Sequence, residues 1–223
     1  MRTLATLRRV AVLTCALAAL PAHALEQVTL QLKHLHQFQF AGYYAAIEKG
    51  YRDAGLDVRI LEGKDGNEPE RNVIAGTAQF GVGSSSLLLA RLAGKPVVVL
   101  GTIFQHSPYV LLVARRDGVK DLRSVMGKRV MIGSLTDELT QADELFAYLK
   151  KEGIPMSSMV RVDHSFDLQD LVSGKVDAFS AYITNEPDYL DRIAFAYDVY
   201  SPRAAGIDFY GDNLFTSENE IAL

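Results

Sequence analysis

His34–Tyr51 reads HLHQFQFAGYYAAIEKGY, and the rest of the chain can be placed outward from it. Before it, Val28–His34 has the apolar density of a buried strand. After Ala41, the residues Tyr44, Ile47 and Tyr51 recur at three- and four-residue steps, the spacing of one helix face. The stretch is therefore a strand, a turn and a helix. Its turn holds Gln37, Phe38, Gln39 and Phe40, amides alternating with rings. Open α/β sheets bind ligands at this place, past the C-terminal end of a strand and at a helix N-terminus. Amides hydrogen-bond a polar edge, and rings stack on a flat face. The same residues also suit an ordinary strand end, with Phe capping the core and Gln in water, and the local pattern does not separate the two.

Upstream, Arg2, Arg8 and Arg9 precede an uncharged run, Val10–Leu20, and then Pro21-Ala22-His23-Ala24, a small-x-small site of the secretory type. This predicts a signal peptide over residues 1–24. A membrane anchor would need about 20 apolar residues, and the run is roughly half that. No later run is long enough either. Removal of the leader takes away Cys15, the one cysteine. Disulfides, thiolate nucleophiles and Cys-ligated metals go with it, so stability must come from an apolar core. With 48% hydrophobic residues, the remainder can bury one large α/β domain or two small lobes. A net charge of −4 gives no basic footprint, so nucleic acid is not an expected partner.

Downstream, Gly55 stops the first helix and Leu56–Leu61 alternates as a second strand. A polar loop, Glu62–Pro69, leads to a short helical pattern at Arg71–Ile74 and a strand at Ala78–Gly83. Ser84, Ser85 and Ser86 then open a helix over Leu87–Ala93. Pro96–Phe104 and Tyr109–Arg115 are strand-like runs joined at Gln105-His106-Ser107-Pro108. At Arg115 the pattern restarts. Strands are expected at Arg129–Ile132, Val160–Asp163 and Val176–Ala181, with a long helix from about Asp137 to Glu152 and a short one at Leu168–Ser173. Val73–Gly81 and Leu171–Phe179 share one order: helix end, Gly, one polar residue, strand. Each strand delivers a polar cluster, Ser84–Ser86 in one case and Tyr182, Thr184, Asn185 and Glu186 in the other. The alternation suits a parallel or mixed sheet. The restart suits two lobes with a crevice between them, and a single doubly wound domain is the alternative; the number of strand-like runs favours two lobes. The segment Ala205–Thr216 would return the chain to the first lobe.

Catalytic chemistry is sparse. His34 and His36 share one strand face, but no third metal ligand stands at a recognisable spacing, so no metal site is expected. Gly81-Val82-Gly83 lacks the rest of a dinucleotide fingerprint, and there is neither a nucleophile elbow nor a P-loop. Asp137-Glu138 and Asp143-Glu144 suit the start of a helix dipole. His164-Ser165-Phe166-Asp167 packs the residue types of a triad too tightly for them to converge, and Asp167 suits a cap for the next helix. No catalytic residue is expected.

Taken together, HQFQFAGYYAAIEKGYRDAGLDV, FGVGSSSLLLARLAGKPVVVL, IFQHSP, HSFD, TNEP and GIDFYGDNLFTSE resemble the thiamine-pyrimidine-synthase-like branch of periplasmic substrate-binding domains. The resemblance covers nearly all of Gln27–Glu220. It implies a two-lobed periplasmic binding protein fold, type II-like, each lobe a mixed sheet flanked by helices. Residues 25–114 with 206–223 would form the first lobe and 115–205 the second. The fold would clamp a small pyrimidine-like or amine-bearing ligand, with a transporter permease or a fused membrane signalling domain as partner and the periplasm as location. Carried over, the first-lobe contacts are Gln37, Phe38, Gln39, Phe40, Tyr43, Ser84, Ser85 and Ser86. Tyr182, Asn185 and Glu186 would lie opposite, with Gln105 and His106 near the crossing strands. Glu186 is expected to be the main electrostatic determinant, its carboxylate aimed into the crevice by a Pro187 that interrupts any helix.

The sequence also departs from that family. Where the synthases carry a pyridoxal-phosphate Lys and a reactive His, this chain has Gly83-Ser84-Ser85-Ser86-Leu87. Their cysteine cluster is missing, and Ser134-Leu135-Thr136-Asp137-Glu138 stands in place of a Gly-rich phosphate loop. No cofactor is therefore expected, and synthesis of the thiamine pyrimidine is the alternative function. Relatives continue for several helices beyond FTSE, so a fragment without the C-terminal part of its first lobe is expected.

Overall fold

The computed structural model describes residues 24–63, 69–116, 121–133 and 143–222. The expected signal peptide, loop residues 64–68, and Ser134–Glu138 with the predicted helix start at Asp137 lie outside the described residues. The opening unit forms as its periodicity requires: β1 (Glu26–Gln31), a 3-10 turn at Phe38–Phe40, α1 (Ala41–Lys49) and β2 (Leu56–Leu61). Then come α2 (Pro69–Ile74), β3 (Phe80–Gly83), α3 (Ser86–Leu92), β4 (Val97–Phe104) and β5 (Tyr109–Ala114). After β6 (Arg129–Met131) the chain runs through α4 (Asp143–Lys151), β7 (Val160–Val162), α5 (Gln169–Val172), β8 (Ala178–Tyr182), α6 (Glu186–Arg192), β9 (Tyr197–Tyr200), β10 (Gly211–Ser217) and α7 (Glu218–Ile221). Among the described residues no helix is long and apolar enough to cross a membrane.

The strands make two five-stranded sheets, β2-β1-β3-β10-β4 and β7-β6-β8-β5-β9. They are topologically alike. β1 pairs with β3, and β6 with β7 and β8, in parallel, whereas β10 and β5 are antiparallel insertions, each next to last in its sheet. β5 follows directly on β4 of the first sheet, and β10 follows β9 of the second. The chain therefore changes sheet at 105–108 and again at 201–210. Ser107 N–H donates to the Phe209 carbonyl at 2.7 Å, tying the two crossings together.

This corrects one boundary. A first lobe running to residue 114 takes in Tyr109–Ala114, yet that strand hydrogen-bonds to β8 and β9 of the second sheet. The reason is in its sequence, an unbroken apolar run that needs cover on both faces. Leu111 and Val113 pack with Leu145 and Leu149 of α4 on one face. Val110, Leu112 and Ala114 pack with Leu171 and Leu190, from α5 and α6, on the other. The chain returns to the first sheet at β10. β9 has no counterpart among the expected strands. Pro187 does not interrupt a helix, since α6 starts at Glu186 and takes the proline in its first turn, where no N–H is required. Asp167 Oδ1 accepts from Gln169 N–H at 2.9 Å, at the start of α5.

The two similar segments owe their shape to glycine. Gly76 and Gly174 end α2 and α5 at φ 72° and 82°, a left-handed conformation that lets the chain turn directly into β3 and β8. In the first sheet the core is Val73, Ala78, Leu87, Ala90, Val97 and Phe215. Leu88 and Leu92 of α3, and Val99 and Ile103 of the edge strand β4, are exposed.

The described residues fall into two compact units, one of residues 24–28 with Phe38–Arg59, the other of Thr29–Gln37 with the described residues from Ile60 onward. In the first unit Glu26 N–H donates to the Gly55 carbonyl at 2.8 Å, Gln27 Nε2 donates to Asp57 Oδ2 at 2.8 Å, and Phe40 is fully buried. The second unit holds the site described next.

Candidate functional site

Lys33 stands just past β1 and Asp212 near the start of β10, both on the first sheet. Their side chains are 4% and 2% exposed, and Lys33 Nζ lies 2.5 Å from Asp212 Oδ1. Tyr182, the last residue of β8 in the second sheet, completes the cluster. Its hydroxyl donates to Asp212 Oδ1 at 3.0 Å and accepts from Lys33 Nζ. Nζ is also 4.9 Å from the centroid of the Tyr182 ring. Burial, and next the Asp212 charge, push the Tyr182 hydroxyl well above its ordinary range, so it stays neutral and keeps its proton for the carboxylate. The cluster thus brings together one cation, one anion and one neutral group that gives and takes a hydrogen bond.

Local backbone sets this up. Gly63 passes so close to Lys33 and His34 that an added Cβ would lie 2.3 Å from the Lys33 carbonyl carbon. Gly63 N–H donates to the His34 carbonyl at 2.9 Å. Gln31, fully buried, donates to the Leu32 and Glu62 carbonyls at 3.0 and 2.7 Å and accepts from Asn72 at 3.0 Å, which fixes the end of β1. Asp212 has φ 44°, a left-handed conformation that costs a non-glycine residue about 1–2 kcal/mol and persists only where the surroundings impose it.

Rings pack against Tyr182 and against His34. Tyr182 meets Tyr109 edge-on at 5.8 Å and Phe104 at 6.3 Å. His34 meets Phe166 at 4.8 Å, and Phe166 in turn meets His164 at 4.8 Å. His164 Nε2 donates to the Ser180 carbonyl at 3.0 Å and Nδ1 accepts from Phe166 N–H at 3.1 Å, the pattern of a neutral imidazole. Burial, followed by His164 and Lys33, lowers His34 to about 4, so this ring is neutral as well. Tyr109 donates to Ser180 Oγ at 2.8 Å, and Ser107 donates to the buried Glu144 carboxyl, which burial pushes up.

Of the residues singled out from sequence, Tyr182 is in this cluster. Asn185 and Glu186 follow it, but the Glu186 carboxylate folds back, accepting from Tyr182 N–H and from Asn185 Nδ2, each at 2.8 Å. Ser84 and Ser86 are buried with their hydroxyls 2.7 Å apart, and Ser85 donates to the Tyr210 carbonyl at 2.7 Å. With its buried hydroxyl pair and no amine, Gly83–Leu87 does not fit an imine-forming cofactor. Gln105 and His106 sit on the exposed crossing, where Gln105 donates to the Thr102 carbonyl at 3.3 Å and His106 Nδ1 is 2.7 Å from Asp208 Oδ2. Gln37 bonds His34 Nδ1. Phe38 is 91% exposed, Phe40 is buried, and Gln39 and Tyr43 are half-buried. Among the described residues, no group of three or more His, Cys, Asp or Glu could hold a metal ion.

Lys33 and Asp212 were not singled out from sequence. The available signals were a lysine closing an apolar strand and a Gly-Asp pair opening another.

A family model described as NMT1/THI5 like matches residues 37–222. The riboflavin-binding protein RibY of Chloroflexus aurantiacus is 27% identical over 194 residues, which cover 82% of this chain and 55% of that protein. The 4-amino-5-hydroxymethyl-2-methylpyrimidine phosphate synthase of Legionella pneumophila is 30% identical over 81 residues, covering 36% of this chain and 26% of the synthase. The chain thus spans about half the length of the first relative and about a quarter of the second. Among solved structures, a protein of Bordetella bronchiseptica RB50 superposes with a TM-score of 0.71 at 16% identity, covering 88% of this chain and 65% of that one. The alkanesulfonate-binding protein SsuA of Xanthomonas axonopodis pv. citri gives 0.65 at 16% identity, covering 88% of this chain and 67% of that one. At such identities the likeness is one of fold, that of the periplasmic binding proteins. With the family match running through both sheets, the chain belongs to the NMT1/THI5-like family.

Proposed function

We propose that this protein is an extracytoplasmic solute-binding clamp whose two lobes are the two sheets with their helices. The observation that carries this is the meeting of Tyr182, from the second sheet, with Lys33 and Asp212 of the first, at strand ends and beneath a set of rings. Support comes from the riboflavin-binding relative and from the binding-protein fold. The periplasm is the proposed location, on the strength of the leader-like residues 1–24. The partner would be a transporter permease or a fused membrane signalling domain.

The ligand is proposed to be small and flat, pyrimidine-like or amine-bearing, and the neighbouring Ser84–Ser86, Gln105 and His106 are proposed as further contacts. A thermal-shift screen of riboflavin, thiamine precursors and small amines tests this. A ligand at a hundredfold excess over its dissociation constant adds about 2.7 kcal/mol of stability. A screen in which nothing raises the melting temperature counts against the clamp.

The Legionella match favours a second reading, synthesis of the thiamine pyrimidine. Its test is an internal-aldimine absorbance band with pyridoxal phosphate that disappears on mutation of one lysine; the sequence Gly83–Leu87 speaks against it.

A further inference from the structure

We infer that the Lys33–Asp212 pair is the polar anchor of the ligand site and that the Tyr182 hydroxyl occupies it when ligand is absent. The ligand class that follows is a neutral ring with a hydrogen-bond donor beside an acceptor, such as the N–H and C=O of a lactam. This rests on the clamp reading and specifies its ligand.

The geometry is that of a plug in a socket. The hydroxyl gives one hydrogen bond to Asp212 Oδ1 at 3.0 Å and takes one from Lys33 Nζ. A lactam edge meets the same demand with two adjacent atoms. Because Lys33 and Asp212 already neutralise each other at 2.5 Å, a group with net charge would leave a buried charge uncompensated. A neutral edge leaves the balance intact.

Socket and plug also differ in how they are held. Lys33 is fixed by Gly63 at its backbone, and Asp212 lies in β10, flanked by β3 and β4. Tyr182 is the terminal residue of its strand and leads into a turn, so it can withdraw with the second sheet while the pair stays together on the first. The rings of Phe104 and Tyr109 beside it supply the flat apolar faces that such a ring would stack on.

The test is isothermal titration with riboflavin, whose ring carries an N3–H between two carbonyls, and with N3-methylriboflavin, in which that donor is blocked. Riboflavin should bind, and the methyl derivative should bind roughly 10- to 100-fold more weakly, the worth of one charge-assisted hydrogen bond. Tyr182→Phe keeps the ring and removes the competing hydroxyl. It should bind riboflavin several-fold tighter, since the competent state is then no longer taxed by the plug. Equal affinity for the two flavins, or weaker riboflavin binding by Tyr182→Phe, overturns the assignment; the flavin pair is measured on the unaltered protein and needs no mutant to fold. If riboflavin fails while histidine or a small amine binds, the neutral-edge assignment falls and the clamp stands. If no solute binds, both fall.

Discussion

Tyr182 Oη lies 3.0 Å from Asp212 Oδ1, although one residue ends a strand of the second sheet and the other stands at the start of a strand of the first. A hydroxyl in that position satisfies two buried charged groups at once. Removing it leaves both short of a partner, which costs about 1–3 kcal/mol. Tyr182→Phe should therefore lower the unfolding free energy in urea by that amount, while its riboflavin affinity moves the other way. A mutant as stable as the parent would mean that water fills the place of the hydroxyl.

Gly63→Ala tests the support beneath Lys33. An added Cβ would sit 2.3 Å from the Lys33 carbonyl carbon and 2.4 Å from the His34 nitrogen, atoms of backbone that cannot rotate away. Overpacking of this kind costs about 1–3 kcal/mol. Gly42, in α1, has open space around its missing Cβ, and Gly42→Ala should instead stabilise by about 0.5–1 kcal/mol. Thermal melts of the two mutants should shift in opposite directions; equal shifts would remove the steric account of Gly63.

Much of this fold is written locally. The helix–Gly–strand order at Gly76 and Gly174 is legible because both glycines take positive φ at the same kind of turn. The run Tyr109–Ala114 is legible as a strand buried on both faces. Its sheet is not, because a strand inserted from the other half of the chain carries no local mark of its partners. β9, Tyr197–Tyr200, is four residues long and sits at a sheet edge, too short for alternation to stand out. The site was half visible. Tyr182 follows from its place at the end of a repeated strand. Lys33 and Asp212 look like ordinary polar residues at strand ends, and only the fold brings them to 2.5 Å. The Gln37–Phe40 turn has the expected strand–turn–helix setting, but its rings divide, Phe40 buried and Phe38 exposed.

The protein should lose stability as pH falls from 6.5 to 4. Burial, His164 and Lys33 lower His34 from 6.5 to about 4, with Asp212 opposing. Between those values the unfolded chain binds a proton at His34 and the folded one does not, so stability rises with pH across the window and is complete above it. The contribution is on the order of 3 kcal/mol at most. Asp170, lowered chiefly by its hydrogen bond from Lys175, loses its contribution only below its ordinary 3.8. Glu144, raised by burial, opposes this at the acid end because its folded form takes up a proton first, so urea midpoints at pH 7, 5.5 and 4 should fall in order for the parent and should not fall for His34→Gln. A parent curve flat from pH 7 to 4 would contradict the burial of a neutral ring.

Glu186 separates a charge effect from a positional one. If its carboxylate faced a ligand amine, Glu186→Gln would weaken binding by removing charge. In the structure both oxygens are already engaged, Oε2 by Tyr182 N–H and Oε1 by Asn185 Nδ2, each at 2.8 Å. An amide can keep the first bond through its oxygen, and the Asn185 side chain can turn its own oxygen toward the new NH2 group. Glu186→Gln should then change stability by less than about 1 kcal/mol and leave ligand affinity near that of the parent. Glu186→Ala loses both bonds, leaves Tyr182 N–H without its acceptor at the end of β8, and should cost about 1–2 kcal/mol. Because Tyr182 is the plug, its displacement should also change riboflavin affinity in Glu186→Ala. Urea unfolding and titration of the two mutants side by side decide the matter: equal losses of affinity in Gln and Ala would return Glu186 to the role of a ligand-facing charge.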